Sequence, residues 1–393
     1  MLKIQEDFKK EYEKLLSKIE EEFCKISINR NATVAVGLSG GVDSSATLAI
    51  LKELGFNTIA ITMKIWNPKY DKLYEKYENH NNPKIHGCFG PEEIEDIQDA
   101  SMVSKILKTP FFVIDLTKEY EETILQYFKN QYIEGKTPNP CVICNWKMKF
   151  ESLIQKALSS NLKFDYFATG HYVKRIIYEN IPTLAQAEYL KKDQTYYLSY
   201  LNRYHIEKSL FPLGYVPSKE TTRQIAKIYN LPTYNKPDSQ NFISIKYTEI
   251  FKNEKIENGV IIDKNKKILG QHKGLHFYTI GQRKGLNISS NKPLYVINID
   301  KESNTITVGE KEDLYQKKLI AINPNWIVPP PKNAKAKIRY THEPAECEIK
   351  TFEDCLEVEF KEKQMAITPG QIISFYKDQI LLGAATIHKV IIE

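Results

Sequence analysis

A chain of 393 residues exceeds what one hydrophobic core usually supports, so two or three domains are expected. Apolar residues at 42% and charged residues at 26% are ordinary for a globular protein, and no apolar run approaches the ~20 residues of a membrane helix, which excludes a membrane-spanning chain. The 55 basic and 49 acidic residues nearly cancel, so the net +6 by itself does not establish a nucleic-acid partner, and six cysteines are too few for a disulfide scaffold.

The first residues, MLKIQEDFKKEYEKLLSKIEEEF, mix both charge signs with apolar residues at helical spacing. That predicts an amphipathic helix, not a signal peptide, and makes the cytoplasm the expected location. NATVAVGL then reads as a buried strand, SGGVDSSATLAILKELGF as a turn opening a helix, and NTIAITMKIW as a second strand. A polar, aromatic excursion over 67–93 follows, long enough to be a flap, and it carries Cys88. IEDIQDASMVSKIL predicts a helix, TPFFVIDL a strand, KEYEETILQYFKNQY and KFESLIQKAL helices, and FDYFATGHY a fourth strand. Alternation of this kind predicts an α/β fold, a parallel sheet with helices on both faces. From Phe211 the pattern changes to one helix between proline-rich boundaries and short runs such as GVIID, GLHFYTIG and PLYVINID, predicting a small α+β domain. From Lys317 the runs KAKIRY, ECEIKTF, LEVEF, QIISFYKDQ and ILLGAATIHKVIIE predict an antiparallel β-barrel or sandwich. The expected division is therefore 1–29 helical extension, 30–210 catalytic domain, 211–316 central domain and 317–393 barrel, without internal repeats.

In LSGGVDSS, Gly40 and Gly41 let backbone amides converge on an anion, and the following helix adds its positive N-terminal end. Ser39, Ser44 and Ser45 add hydroxyls, while the lysine of a GxxxxGK[ST] loop is missing, so an ordinary P-loop ATPase is not expected. SGGxDS directly after a strand resembles the pyrophosphatase (PP) loop of enzymes that cleave ATP between its α- and β-phosphates. With MKIW at 63–66, TPNPxxxCN at 137–145, ATGHY at 168–172, KDQTYYL at 192–198, FPLG at 211–214, DSQ at 238–240, YTIGQRKGL at 278–286 and TPGQ at 368–371, the chain resembles the bacterial tRNA-specific 2-thiouridylase family over nearly its whole length.

That resemblance implies adenylation of C2 of the anticodon wobble uridine and replacement of its oxygen by sulfur, with ATP and magnesium as cofactors and tRNA as partner. DNA and membranes are not expected partners. Carried over residue by residue, it implies that Gly37, Leu38, Ser39, Gly40, Gly41, Val42, Asp43, Ser44 and Ser45 hold the triphosphate and that Asp43 orients the magnesium. Met63 would meet adenine through its backbone, and Gly170 would line the nucleotide pocket. Asn139, Pro140 and Cys141 would lie near the target base, with tRNA contacts from His171, Asp193, Gln194, Arg339, Tyr340 and Gln371. Taken alone, His171 would read as a packed histidine, and Arg339 with Tyr340 as a solvated strand face.

The cysteines depart from the pattern. The family turn NPDxxCN has an aspartate where Cys141 stands; its catalytic cysteine remains as Cys144. The family's second cysteine, which carries a persulfide and later closes a disulfide, is replaced by Ile243 in DSQNFISI. Cys88, Cys141 and Cys144 resemble the three ligands of a 4Fe-4S cluster in iron-sulfur-dependent tRNA thiolases, and this reading accounts for Ile243 and Cys141 together. The competing readings are a zinc site from His86, Cys88, Cys141 and Cys144, a Cys144 nucleophile resolved by Cys141, and a repurposed site. The sulfur donor would be hydrosulfide or a persulfide carrier protein. Cys24, Cys347 and Cys355 are expected to be packed or incidental. Rival functions are a PP-loop ligase adenylating a small carboxylate and a tRNA-binding module without turnover.

Overall fold

The computed structural model describes residues 2–78, 87–238, 241–244, 247–251, 254 and 257–392. The chain folds into two compact units: Met1–Tyr120 with Cys144–Ile245 and Gln379–Leu381, and Glu121–Ile143 with Lys246–Asp378 and Leu382–Glu393.

The first unit is built on a five-stranded parallel sheet ordered Phe111–Asp115, Asn57–Lys64, Thr33–Gly37, Tyr166–Ala168, Ser209–Leu210. Val36 pairs with Ala60 on one side and Ala168 on the other. The strand Thr33–Gly37 is thus central, and its TVAVG sequence is apolar because both faces are covered. Its carboxyl end feeds the helix Val42–Glu53, nearly every residue of which is buried. Parallel strands ending together place the following turns along one edge, where open α/β sheets bind ligands.

The helix Leu2–Lys25 is part of this core. Phe8, Tyr12, Leu15, Ile19 and Phe23 recur at three- and four-residue spacing, and all are buried in the cluster that includes Val216 and Ile225. Burial of each such side chain contributes about 1.5–3 kcal/mol. The helix Lys219–Ile228, expected to begin a central domain, instead packs on Val42–Glu53, and the first unit continues to Ile245. Ser218 caps it, its hydroxyl accepting from the Thr221 amide at 3.0 Å.

Two segments carry more regular structure than the sequence pattern indicates. The excursion after Trp66 contains a helix, Asp71–Glu78, and an aromatic cluster in which Phe89 lies 4.8 Å from Trp66 and 5.2 Å from Tyr120. The CxxC lies within helical backbone. Pro140–Ile143 is already helical, Cys144–Ser152 continues as a π-helix, and Leu153–Ser159 returns to α geometry. Pro140 suits a first helical turn, because its missing N–H would have no partner there.

In the second unit, a four-stranded sheet runs in the order Ile268–His272, Gly259–Ile262, Thr305–Gly309, Tyr295–Asp300. GLHFYTIG, expected as a strand, holds the 3-10 turn Leu275–Phe277. The six strands from Tyr315–Trp326 to Ile380–Ile391 close into an antiparallel barrel, because the last pairs back onto the first, Leu319 opposite Val390. Closure removes the free edges that an open sheet would expose.

Candidate active site

The turn after Thr33–Gly37 is held by its own hydroxyls. Ser44 Oγ donates to the Gly41 carbonyl at 3.1 Å and accepts the Ser39 amide at 3.1 Å, and Ser45 Oγ donates to Gly41 O at 2.8 Å. Leu38 N donates to Ile61 O at 2.9 Å, which ties the turn to the neighbouring strand. Gly40 has φ +71, and a Cβ there would fall 2.2 Å from the Asp96 carbonyl oxygen. Gly41 caps the helix without a side chain, so no side-chain acceptor occupies its first amides and an anion can take them. Met63 lies at the end of Asn57–Lys64, and Gly170 follows Tyr166–Ala168, so both belong to the edge that carries the loop. A Cβ on Gly170 would approach the Asp43 carbonyl carbon and the Ser44 nitrogen to 2.7 Å.

Asp43 is engaged differently from its expected magnesium role. Its oxygens accept Lys219 Nζ at 2.7 and 2.8 Å and the Tyr172 hydroxyl at 2.8 Å. Burial and the Asp43 charge hold the Tyr172 phenol far above its usual range, so it remains a neutral donor. An ion bound by Asp43 must displace an ammonium.

Directly after Gly170 the thiol site begins. His171 is only 8% exposed, its Nδ1 is 2.7 Å from Thr169 Oγ1, and burial followed by the Lys149 charge keeps it neutral. Burial likewise pushes the Cys144 thiol up to about 11, with Lys149 opposing and Cys88 adding to the shift. Burial raises Cys88 too, again against Lys149. Cys88 has exposed surface. Lys149 is therefore common to both thiols and the histidine. It stands five residues after Cys144, the step that a π-helix bonds and stacks.

Ile243 pairs with Phe89 in the short parallel ladder Gly87–Phe89 with Asn241–Ile243 and is 6% exposed. Alternation along the strand puts Cys88 on the opposite face from Phe89, so Cys88 is not a simple positional substitute for a thiol at 243. Cys141 is half-buried on Pro140–Ile143. Among the described residues, no three His, Cys, Asp or Glu side chains gather to hold a metal ion. His86 of the zinc reading lies outside the described residues. Cys347 is buried and bonds the Ala334 carbonyl at 3.5 Å; Cys24 is exposed and Cys355 half-buried.

The residues expected to meet tRNA divide between the units. In the second unit, Gln371 Nε2 donates to the carbonyls of Thr137 and Pro138 at 3.0 and 3.2 Å, and its Oε1 faces Asn139 Nδ2 at 3.5 Å. Asn139 Oδ1 caps the next helix through the Val142 amide at 3.2 Å. Arg339 bonds Thr368 Oγ1 and the Ile280 carbonyl, and Lys337 Nζ lies 5.4 Å from the Tyr340 ring centre. The TPGQ turn thus gathers Asn139, Arg339 and Gln371. In the first unit, Asp193 is 5% exposed and its carboxylate is occupied by the Ala187 amide and the Thr195 hydroxyl at 3.2 and 2.6 Å, so it organises its loop and does not offer itself to a base. Gln194 holds the Tyr172 amide at 2.9 Å.

Lys149 and Lys219 escaped the sequence reading. A lysine in a basic helix or at a helix start carries no local signal, although the SK of VPSKETTR, a cap residue followed by a cation, could have raised the question.

A parallel sheet whose central strand runs into an SGGVDSS turn, an open helix start and a glycine packed on that turn define a PP-loop-type nucleotide-binding domain, here followed by a closed β-barrel. Family models agree: "tRNA methyl transferase HUP domain" matches residues 32–246, "tRNA methyl transferase PRC-barrel domain" 249–310 and "Aminomethyltransferase beta-barrel domain" 316–387. The chain is 39% identical over 91% of its length to the tRNA-specific 2-thiouridylase MnmA of Carboxydothermus hydrogenoformans, of which 97% is covered. It is 42% identical over 90% of its length to that of Endomicrobium trichonymphae, of which 98% is covered. It belongs to the tRNA-specific 2-thiouridylase family. Among solved structures, the U34-tRNA thiolase NcsA of Methanococcus maripaludis overlaps 62% of this chain and 71% of its own at 19% identity and a TM-score of 0.37, too loosely to bear on the site.

Proposed function

We infer that the protein is a tRNA sulfurtransferase that adenylates O2 of the anticodon wobble uridine with ATP and replaces that oxygen by sulfur. The observation that carries this is the Thr169–His171 turn, where Gly170 packs on the phosphate loop and the next residue shares Lys149 with Cys144 and Cys88. A loop suited to ATP and a thiol suited to sulfur transfer then belong to one unit. A carboxylate-adenylating ligase needs no such thiols.

In the first step O2 forms a bond to Pα, the bond from Pα to the β-phosphate oxygen breaks with its electrons on the departing pyrophosphate, and uridine N3 releases its proton. Bound magnesium would neutralise charge on the phosphates, with Asp43 its candidate holder once Lys219 has moved. In the second step sulfane sulfur on Cys144, delivered by an external persulfide carrier, attacks C2 and AMP leaves. A second thiol then cleaves the remaining sulfur–sulfur bond, and cellular thiols reduce the resulting disulfide. Cys141, three residues earlier in the helix, and Cys88, in the Cys144 surroundings, are the two available resolvers. Asn139, Pro140, Arg339, Tyr340 and Gln371 would receive the anticodon around the TPGQ turn, with His171 and Gln194 at the nucleotide edge.

A 4Fe-4S cluster on Cys88, Cys141 and Cys144, or a zinc ion there, requires thiolates converging on one centre. Cys88, Cys141 and Cys144 are the residues that would hold such a group, an open iron of which would supply bound hydrosulfide as nucleophile, and the thiol route above proceeds without it. Iron with visible absorbance in anaerobically prepared protein, lost in Cys141→Ala, would support the cluster reading; a colourless, iron-free and active protein would reject it.

The direct test is nucleoside mass spectrometry of an unmodified tRNA transcript incubated with ATP, magnesium and a persulfide donor. The protein is expected to give 2-thiouridine and one AMP per sulfur, and Cys144→Ser to give AMP without 2-thiouridine. Adenylation of a small carboxylate with no change in the tRNA would reject the assignment.

A further inference from the structure

SGGVDSS contains no lysine or arginine, yet scission between the α- and β-phosphates ends with a polyanion that requires positive charge beyond one magnesium ion. The fold brings an ammonium from a site 176 residues away in sequence. Lys219, the first residue of Lys219–Ile228, donates to both Asp43 oxygens at 2.7 and 2.8 Å and lies 2.5 Å from Asp238 Oδ1, with its side chain only 14% exposed. Asp238 is also paired with Lys192, so the charges alternate along a chain from the loop outward: Asp43, Lys219, Asp238, Lys192. Asp43 is the second residue of the helix whose uncapped first turn faces any bound phosphate. Tyr172, bonded to Asp43 and 2.8 Å from Thr222 Oγ1, fixes the same two helices together without using the lysine. A second, charged clamp at the same junction is therefore more than packing needs.

We propose that Lys219 is a phosphate-binding residue of the ATP site, leaving Asp43 and Asp238 to bond the β- and γ-phosphates and to stabilise the departing pyrophosphate. The assignment rests on the ATP-cleaving reading above. Lys219 keeps its protons throughout: the acceptor oxygen bonds Pα, the electrons of the broken bond go to pyrophosphate, and the lysine contributes hydrogen bonds and charge. Two carboxylates hold the ammonium in position while the site is empty, and its departure frees Asp43 for magnesium.

The test is calorimetric titration of the full chain with magnesium ATP and, separately, with AMP, which lacks the phosphates in question. Wild type, Lys219→Met, Lys219→Arg and the double variant Lys219→Met with Asp238→Asn are compared. The double variant removes one charge of each sign, so it recovers thermal stability that the single variant loses to an unbalanced carboxylate. Both methionine variants are expected to bind ATP about tenfold or more weakly while AMP binding is kept, and arginine to recover most of the loss. If the double variant binds ATP as wild type does, or if ATP and AMP weaken equally, Lys219 is a structural clamp and the proposal falls. Failure of the wild type to bind ATP at all would remove the ATP reading itself and this assignment with it, and is distinguished by appearing before any substitution.

Discussion

At Gly40 a single hydrogen atom is what the phosphate loop can accommodate: φ is +71 and the Asp96 carbonyl oxygen would sit 2.2 Å from a Cβ. Gly40→Ala is expected to lose about 1–2 kcal/mol from the backbone conformation alone, and to weaken ATP binding further as the loop moves off Asp96; chemical denaturation beside ATP titration checks both. Cys144 obeys a different constraint. Burial favours its neutral thiol, so the thiolate is scarce at neutral pH and its fraction grows as pH rises towards about 11. Iodoacetamide alkylation of Cys144, followed by peptide mass spectrometry in Cys88→Ser protein, is expected to keep accelerating beyond pH 9.0, the ordinary thiol value, without levelling there. In Lys149→Gln the same curve is expected to move to still higher pH, because the ammonium that opposes burial is gone.

The helix Pro140–Ile143 and the π-helix after it illustrate what an element adds to its residues. A π-helix closes i to i+5 and is less favourable than the α form, so it persists where surrounding contacts fix it. One such contact is Asn145, buried, whose Nδ2 donates to the Tyr197 carbonyl at 3.2 Å. Asn145→Ala is expected to cost about 1–3 kcal/mol by removing that buried hydrogen bond, and to reduce thiolation more than ATP binding, since it disturbs the Cys144–Lys149 step; melting and product assays separate the two. The Thr169–His171 turn is an element of the same kind. Gly170→Ala would force the turn from the Asp43–Ser44 backbone, now 2.7 Å from the would-be Cβ, and is expected to raise the Kd for ATP while sparing the fold, which ATP titration with circular dichroism would check.

At the scale of the whole molecule the units are discontinuous in sequence. The second unit takes Glu121–Ile143 from the middle of the chain, and there Phe128 and Tyr132 pack with Tyr247 and Phe251, Lys129 pairs with Glu254 at 3.1 Å, and Thr137 bonds Thr279. A fragment of residues 246–393 is therefore expected to be markedly less stable than the same fragment with 121–143 joined to it, by roughly 1.5–3 kcal/mol for each aromatic side chain that loses its burial. Thermal unfolding of the two fragments measures the difference. The first unit has the opposite dependence. Its core includes the N-terminal helix, so a chain beginning after Ile28 would expose the apolar surface of Val216 and Ile225.

The sequence by itself determined the parallel-sheet α/β fold, the phosphate loop and an antiparallel β C-terminal segment, because each is written locally; its closure into a barrel rests on pairing of the last strand with the first. Period-two and period-3.6 apolar patterns mark the elements, and SGGVDSS couples glycines, hydroxyls and a helix start within seven residues. Family membership was legible for the same reason, since its motifs are short contiguous runs. Only the tertiary structure decided that Asp43 is held by Lys219, that Asp193 is spent on its own loop, that the CxxC lies within a helix leading into a π segment, and that the Lys149 charge acts on both thiols and His171. These facts depend on side chains brought together from distant segments by packing, and on a backbone form that no local propensity favours. Charge pairs across 176 residues leave no trace in spacing; they exist because helix Lys219–Ile228 is seated on helix Val42–Glu53 by burial of Thr222, Ile225 and Ala226.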